Sequence, residues 1–243
     1  MTISYAQRLE DILLLRALRD VERGFYVDLG AHDPVIDSVT KLFYEAGWSG
    51  INVEPSPHWF AKLAADRPRD VNLNFAVTDR SGTLTFHELT GTGLSTASDL
   101  FAERHVAAGF ERVTYEVPTR TLAEICEAHA PGPIHFLKID VEGSEEAALR
   151  GMDFRRFRPW IILAEATEPL TDVPSFAAWD PLLVEAGYDF VLFDGLNRFY
   201  VARERPELAR FFVCPADDYV RAWAVRAEEA MHREIAALKA RPA

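Results

Sequence analysis

The sequence FYVDLGAHD, at residues 25–33, constrains the fold more than any other stretch of the chain. Its first five residues are apolar or aromatic except Asp28, which is the pattern of a strand covered on both faces. Gly30 then permits a sharp turn and a close backbone approach to a ligand, and helical periodicity resumes near Ser38. This order of strand, glycine turn and helix is typical of the point where an open α/β sheet binds nucleotide-like ligands.

The composition limits the class of protein and its partners. Of the 243 residues, 49% are hydrophobic, which is enough to bury a large core in one domain or two. No linker is evident, so we predict a single domain over residues 1–243, with its core at about 20–205 and a helical extension at about 206–243. The net charge of −12 argues against a nucleic acid or an anionic membrane as partner, and it favours a neutral or cationic substrate.

Two further features of the sequence indicate a compartment. Cys126 and Cys214 are the only cysteines and lie far apart, which suits a reducing cytoplasm and excludes a disulfide framework. The apolar run at residues 12–15 is flanked by charges and is too short for a signal sequence or a membrane span. We therefore expect a cytoplasmic protein without a membrane span.

A second strand is predicted at residues 51–55 (INVEP), with Glu54 at its end. In sheets of this kind, an acidic residue at this position hydrogen-bonds the ribose hydroxyls of the cofactor. Glu54 could instead cap the next helix, but Ser56 and Pro57 match the N-cap and the first turn of that helix. We therefore assign Glu54 to ribose binding.

The remaining sequence alternates strands with helices. The terminal pair of strands is joined by the short turn from Asp194 to Asn197, so the two must be antiparallel neighbours. Further strands are predicted at residues 71–79, 134–139 and 160–166, with a hairpin arm at 81–89 and the terminal pair at 188–203.

Helices and one irregular segment complete the predicted organisation. Residues 4–19 have the spacing of an amphipathic helix, which we interpret as packing against one edge of the core. Thr121 and Glu124 match a capping box, and Ser144 is predicted to cap the following helix. The Gly, Ser and Thr-rich segment 91–110 interrupts the alternation, and it is either a lid over the substrate or a structural excursion.

Nearly every predicted strand delivers a carboxylate to one edge of the sheet, where open α/β sheets bind their ligands. The residues concerned are Asp28, Glu54, Asp140, Glu142, Glu165 and Asp194. Lys138, Asp140 and Glu142 alternate along one strand end, so they share a face. Burying three charges together is costly unless they pair or bind something, so we predict a ligand site there. An ion-paired strand end is the alternative.

Six motifs in order resemble the FkbM family of S-adenosylmethionine-dependent O-methyltransferases, from about residue 20 to about residue 205. The most specific is KIDVEG, at residues 138–143, with a helix after it. The motifs are YVDLGAHDP, INVEPSP, NFAVTDRSGTLTF, HFLKIDVEGSEEAALRG, WIILAEA and FDGLNRFYV. The resemblance implies a three-layer, Rossmann-like class I methyltransferase fold: an α/β fold whose seven-stranded, mostly parallel sheet ends in an antiparallel hairpin. The spacing of apolar residues adds a helix at each terminus.

The resemblance also implies roles for individual residues. Asp28, Gly30 and Ala31 would hold the methionine part of S-adenosylmethionine. Glu54 would bind its ribose, and Asp140 would lie beside the reacting methyl. The predicted cofactor site further includes His32, Ser38, Pro55, Asn74 and Ala76, of which the last two border the adenine.

An alcohol acceptor must lose its proton, and the sequence offers several groups for the catalytic work. His32 has a suitable intrinsic pKa, although related sequences often carry an aromatic residue at its position. Asp140, Glu142 and Glu165 could bind Mg²⁺ or Mn²⁺ through hard oxygen ligands, and such a cation would acidify the hydroxyl. The sequence leaves the presence of a metal open. Lys138 is also predicted to be catalytic.

We therefore predict an enzyme that methylates a sugar hydroxyl in a glycan, glycolipid or glycosylated natural product. Asn197 and Arg198 are predicted to contact the sugar, with a purely structural turn as the alternative. An NAD(P)-dependent oxidoreductase is the second hypothesis, but only Gly30 stands where G-x-G-x-x-G requires three glycines. A non-catalytic partner protein is the third. The predicted C-terminal helix packs on its own domain or forms a homodimer.

Overall fold

The structure, a computed structural model, describes residues 3–212, which form two β-sheets surrounded by helices. The strands in this range are β1 (Phe25–Leu29), β2 (Ser49–Val53), β3 (Val71–Leu73), β4 (Ala76–Val77), β5 (Gly82–Leu89), β6 (Arg112–Arg120), β7 (Phe136–Ile139), β8 (Ile161–Glu165), β9 (Tyr188–Phe193) and β10 (Asn197–Ala202). The helices are α1 (Glu10–Ala17), α2 (Lys41–Glu45), α3 (Pro57–Asp66), α4 (Asp99–Ala107), α5 (Leu122–His129), α6 (Glu145–Arg150) and α7 (Asp180–Glu185), with 3-10 helices at Phe176–Ala178 and Pro206–Phe211.

The larger sheet has seven strands in the spatial order β3-β2-β1-β7-β8-β10-β9. Neighbouring strands from β3 to β8 are parallel, whereas β10 is antiparallel to both β8 and β9. The predicted α/β fold, with a mostly parallel seven-stranded sheet and a terminal antiparallel hairpin, is therefore confirmed. The carboxyl ends of β1, β2, β7 and β8 meet at one edge of this sheet.

Alternate residues of the central strands pack on opposite faces of the sheet, which produces three layers. Val27 and Leu29 join a core cluster that includes residues of α5, α6 and α7. Tyr26 joins the cluster on the other face, together with residues of α1 and α2. All five residues of β1 are buried, because both faces are covered. Asp28 has the same parity as Tyr26, so its carboxylate lies on the face covered by α1 and α2.

The predicted strand at residues 71–79 is divided between two sheets. β3 pairs with β2 in the larger sheet, whereas β4 pairs with β6 in a three-stranded sheet. Between them, the Asn74 amide donates to the backbone carbonyls of Glu54 and Pro55, which fixes the chain where it changes direction. The predicted hairpin arm is β5, and it pairs with β6, a strand that the sequence analysis did not identify.

The helix ends differ from the sequence expectations at three places. The helix predicted over residues 4–19 begins only at Glu10, because Leu9 has a left-handed backbone with φ of +66°. Ser56 precedes α3, but its hydroxyl donates to Glu88 and caps nothing. Ser144 likewise makes no side-chain capping bond. The capping box of Thr121 and Glu124 is confirmed, with both of its hydrogen bonds present.

Most of the predicted C-terminal extension, residues 206–243, lies outside the part of the chain that the structure describes. The 3-10 helix at Pro206–Phe211 belongs to it, but the remainder and the homodimer assigned to it lie outside residues 3–212. Among the helices of the described residues, none is long and apolar enough to cross a membrane.

We expect Gly30→Ala to destabilise the fold far more than Gly47→Ala. Both glycines have positive φ values, +71° and +90°, so each alanine costs about 1–2 kcal/mol in backbone strain. A Cβ at position 30 would also overlap the carbonyl oxygen of Asp140, whereas a Cβ at position 47 meets nothing within 4 Å. The overlap should add about 1–3 kcal/mol. Urea unfolding of both variants measures the difference, and equal losses would contradict this role of Gly30.

Candidate active site

A cavity of about 460 Å³ opens at the carboxyl edge of the larger sheet, which is within the size range of small-molecule sites. Its floor comes from the residues that follow β1, β2 and β7, from the end of β8 and from the start of β10. Residues 93–95 and Ala97, together with residues 169–172, form its walls. This is the edge of the sheet at which the sequence analysis predicted the ligand site.

Glu54 lies in this cavity, held by the backbone on either side of it. Its Oε2 accepts a hydrogen bond from the amide of His32 at 2.9 Å, and its Oε1 accepts one from the amide of Ser56 at 2.8 Å. Burial raises the pKa of Glu54 to about 7. Each carboxylate oxygen has a second lone pair, so Glu54 can still accept hydrogen bonds from two hydroxyl groups.

An apolar wall lies next to Glu54. Phe75, Ala76 and Val77 line the cavity on this side, as does Pro55. Asn74 is not among the lining residues, because its amide is turned back onto the carbonyls of Glu54 and Pro55. The wall offers an apolar surface beside a hydrogen-bonding carboxylate, which suits a purine nucleoside.

His32 occupies the turn after β1 in a left-handed conformation, with φ of +47°. Its ring lies 4.0 Å from the ring of Trp59, measured between centroids. Burial lowers the pKa of His32, so its imidazole is neutral at neutral pH. Its Nε2 is buried and has no hydrogen-bond partner within residues 3–212. A neutral imidazole with an unpartnered nitrogen can accept a proton or a hydrogen bond.

Lys138 joins the ends of β1 and β7 beneath the cavity. Its Nζ donates to the carbonyl of Gly30 at 2.7 Å and lies 3.3 Å from both Asp28 Oδ1 and Asp140 Oδ2. Burial alone would lower the pKa of Lys138, but Asp140 and Asp28 raise it, so the ammonium stays charged. The ammonium lies between the glycine turn and two carboxylates, which indicates that Lys138 positions the glycine turn and Asp140.

Asp140, Glu142 and Glu165 meet beside Lys138. One carboxylate oxygen from each lies within 4.8 Å of the others, and Glu142 and Glu165 are each only 8% exposed. Burial and the neighbouring carboxylates raise the pKa of both glutamates. Glu142 has φ of +49°, a strained backbone of the kind that clusters at functional sites. The three residues proposed from sequence as metal ligands are therefore together in space.

The two residues of the terminal hairpin lie on opposite faces of the sheet. Asn197 lines the cavity, and its amide donates to Glu10 Oε1 at 2.8 Å. Arg198 is not among the lining residues, and its guanidinium pairs with Asp180 at 3.0 Å and stacks over the ring of Phe176. Successive residues of a strand point to opposite sides. The predicted contact between Arg198 and a substrate therefore has no support from its position.

Two residues assigned to the cofactor lie behind the cavity wall. The Ser38 hydroxyl accepts a hydrogen bond from the buried guanidinium of Arg67 at 3.0 Å. Asp28 is 1% exposed and accepts a hydrogen bond from the Thr40 hydroxyl at 3.0 Å, in addition to its contact with Lys138. Neither lines the cavity, whereas Gly30 and Ala31 both do. Ser38 and Asp28 can therefore support the site only through their neighbours.

The structure adds residues that the sequence analysis did not assign to the site. The start of α1 reaches the cavity through Glu10, although the sequence indicated plain packing for this helix. The two acidic residues Glu10 and Asp11, directly before an apolar run, are a sequence signal that could have assigned this helix start to the site. Thr96, in the segment predicted as a lid or an excursion, donates to the carbonyl of Glu142 at 2.6 Å. The choice between a lid over the substrate and a structural excursion stays open for that segment.

An open α/β sheet of this order, with a glycine turn and acidic residues at its carboxyl edge, is consistent with a methyltransferase-like fold. The family model described as the methyltransferase FkbM domain matches residues 28–190. The chain therefore belongs to the FkbM methyltransferase family, as its motifs indicated. No curated protein matches the chain at a significant level. Family membership favours a methyltransferase over a nicotinamide-dependent oxidoreductase.

We expect Lys138→Met to reduce the free energy of unfolding by about 3–5 kcal/mol, because it leaves Asp28 and Asp140 without their buried cation. Adding Asp28→Asn should restore part of this loss, since the amide carries no charge and can still accept from Thr40. Chemical denaturation of the single and double variants measures the coupling. Independent, additive effects would show that the ammonium does not compensate Asp28.

Glu10 should make stability depend on pH. Burial, followed by the charge of Asp194, raises the pKa of Glu10 from 4.5 to about 8. Between these values only the folded state holds the proton, so Glu10 lowers stability as the pH rises through this window. The free energy of unfolding of the wild type minus that of Glu10→Gln should therefore fall by roughly 1.4 kcal/mol per pH unit there. Denaturation at pH 5, 6.5 and 8 tests this, and parallel curves would contradict it.

Proposed function

We propose that this protein transfers a methyl group from S-adenosylmethionine to a hydroxyl of a sugar, in a glycan, a glycolipid or a glycosylated natural product. The observation that carries the proposal is the division of one cavity into two halves, on a fold of the FkbM methyltransferase family. The half at β1 and β2 suits a nucleoside, and the half at β7, β8 and β10 suits a polar acceptor. We also propose that residues 1–243 form one domain and act in the cytoplasm.

The first half has the features that S-adenosylmethionine requires. Glu54 can accept hydrogen bonds from the two ribose hydroxyls, and the adenine fits beside Ala76 and Val77. Gly30 and Ala31 bring the backbone of the turn to the cavity, where the methionine part would lie. Asp140 adds a carboxylate next to this turn, which suits the cationic sulfonium and ammonium groups of the cofactor.

The second half is rich in hydrogen-bond acceptors. Glu10, Glu142, Glu165 and the Asn197 amide all line this part of the cavity. Such a surface suits an uncharged ligand with many hydroxyl groups, because a hydroxyl can donate to a carboxylate and accept from a carboxylic acid. A sugar has this chemistry, and the net charge of −12 favours the same class of acceptor.

The chain has to position the acceptor and to receive its proton. The bound cofactor supplies an electrophilic methyl group on sulfur. Glu54, Gly30, Ala31 and Asp140 would hold this cofactor, and transfer would join the methyl carbon to the acceptor oxygen, with the electron pair of the broken carbon–sulfur bond remaining on sulfur. Holding the oxygen in line can account for about 7–11 kcal/mol of the barrier. The hydroxyl proton goes to a base, for which His32 and the carboxylates of Asp140, Glu142 and Glu165 are the candidates.

We expect calorimetry to detect binding of S-adenosylhomocysteine to the wild-type protein. Glu54→Gln should weaken binding at least about tenfold, because an amide presents one acceptor oxygen where the carboxylate has two. Glu88→Gln is the matched control: its carboxylate accepts from Ser56 and Tyr115 but does not line the cavity. Absence of binding to the wild type would overturn the methyltransferase proposal. Equal affinities of the two variants would overturn the ribose assignment alone.

Transfer of a labelled methyl group to free, nucleotide-linked and lipid-linked sugars tests the acceptor class. A folded Asp140→Ala variant should lose this transfer, because its carboxylate lies where the two halves of the cavity meet. If the variant retains the cellular role of the protein, the non-catalytic hypothesis gains support. Transfer only to nitrogen or carbon acceptors would contradict the assignment of an O-methyltransferase.

A further inference from the structure

Four carboxylates, those of Asp28, Asp140, Glu142 and Glu165, lie near a single ammonium group, that of Lys138, at the junction of β1, β7 and β8. Lys138 forms ion pairs with Asp28 and Asp140, and it donates a hydrogen bond to the backbone carbonyl of Gly30. Glu142 and Glu165 form no ion pair with any residue in the range 3–212. The cluster therefore holds more negative charge than its protein neighbours compensate.

Glu142 carries an unpartnered oxygen into this cluster. The residue is 8% exposed, and its Oε2 is buried without a hydrogen-bond partner in the described part of the chain. Glu165 is equally buried, and no donor of that part hydrogen-bonds its carboxylate. Burying a carboxylate without a partner is costly, so the two glutamates must share protons or bind a cation.

The surrounding structure holds Glu142 in this position. Its backbone is in the left-handed region, and its carbonyl accepts the hydroxyl of Thr96. Gly143, the next residue, has φ of +92°, and the ring of Phe101 packs where its Cβ would be. The fold therefore maintains an unfavourable backbone at the residue whose carboxylate lacks a partner, which indicates a function for that carboxylate.

We infer that Asp140, Glu142 and Glu165 bind one small, hard divalent cation, Mg²⁺ or Mn²⁺. Their nearest oxygens lie within 4.8 Å of one another. Oxygens bound to one Mg²⁺ at about 2.1 Å lie about 3 Å apart in adjacent positions and about 4.2 Å apart in opposite ones, so side-chain rotations would have to draw the three oxygens closer together. The ligand set consists of oxygen alone, which selects these cations over softer metals that prefer nitrogen and sulfur.

The role of this cation rests on the proposed function. Three protein ligands leave about half of an octahedral shell for other oxygens, and the cluster faces the acceptor half of the cavity. A cation there would hold the acceptor oxygen and lower the pKa of its hydroxyl, and His32, the base candidate outside the cluster, would receive the proton. The alkoxide would then attack the methyl carbon as the carbon–sulfur bond breaks.

Titration with Mn²⁺, followed by the electron paramagnetic resonance signal of the free ion, tests the site without requiring activity. The wild type should bind one Mn²⁺ per chain, and Mg²⁺ should displace it. Glu142→Gln and Glu165→Gln should each weaken binding at least about tenfold. Glu10→Gln is the matched control, because it removes a buried carboxyl group that lines the same cavity but lies outside the cluster. It should retain the wild-type affinity.

Thermal unfolding provides a second measurement. Mn²⁺ should raise the Tm of the wild type and of Glu10→Gln, but not the Tm of a folded Glu142→Gln, because only a ligand of the native state stabilises it. The inference is overturned if the wild type binds no more Mn²⁺ than the two cluster variants. Binding of S-adenosylhomocysteine in the presence of a chelator separates the two proposals. If S-adenosylhomocysteine still binds but Mn²⁺ does not, the proposed cation site is rejected and the proposed function stands.

Discussion

The buried ammonium of Lys138 is the interaction on which the site depends. It joins the glycine turn after β1 to the carboxylate after β7, and it compensates Asp28 where both faces of the sheet are covered. Because Asp140 is held by this contact, its position relative to Glu142 and Glu165 is also set. The nucleoside half and the acceptor half of the cavity thus meet where the ion-paired ends of β1 and β7 lie side by side. A transfer reaction between two bound ligands requires that they meet at one point.

The sequence was sufficient to predict the central part of this arrangement. The strands near β1, β7 and β8 are short runs of buried residues, and the acidic residue or glycine at the end of each marks the carboxyl edge. The terminal hairpin followed from the short turn at Asp194. Glu54, Asp140, Glu142 and Glu165 were assigned to one edge because parallel strands end together, and the structure does bring them to a common cavity.

Other features depend on contacts that the local sequence does not record. Asn74 fixes the change of direction between β3 and β4 through carbonyls about twenty positions earlier in the chain. Ser38 is turned away from the cavity by Arg67, a buried arginine that no periodicity distinguishes. Arg198 was grouped with Asn197 because they are neighbours in a turn, whereas the strand that starts there separates their side chains. Glu10 belongs to the site only because α1 packs beside the sheet edge.

The pairing of β1 with β7 also has a consequence for how the protein folds during its synthesis. Lys138 and Gly30 are 108 positions apart, so β1 emerges from the ribosome long before its counter-charge exists. Contacts that close long loops form later than local ones, because loop closure costs entropy. Until β7 is synthesised, the Lys138 ammonium that pairs with Asp28 in the folded core is absent. β1 must therefore wait, unpaired on that side and with its apolar residues accessible, for more than a hundred residues of translation.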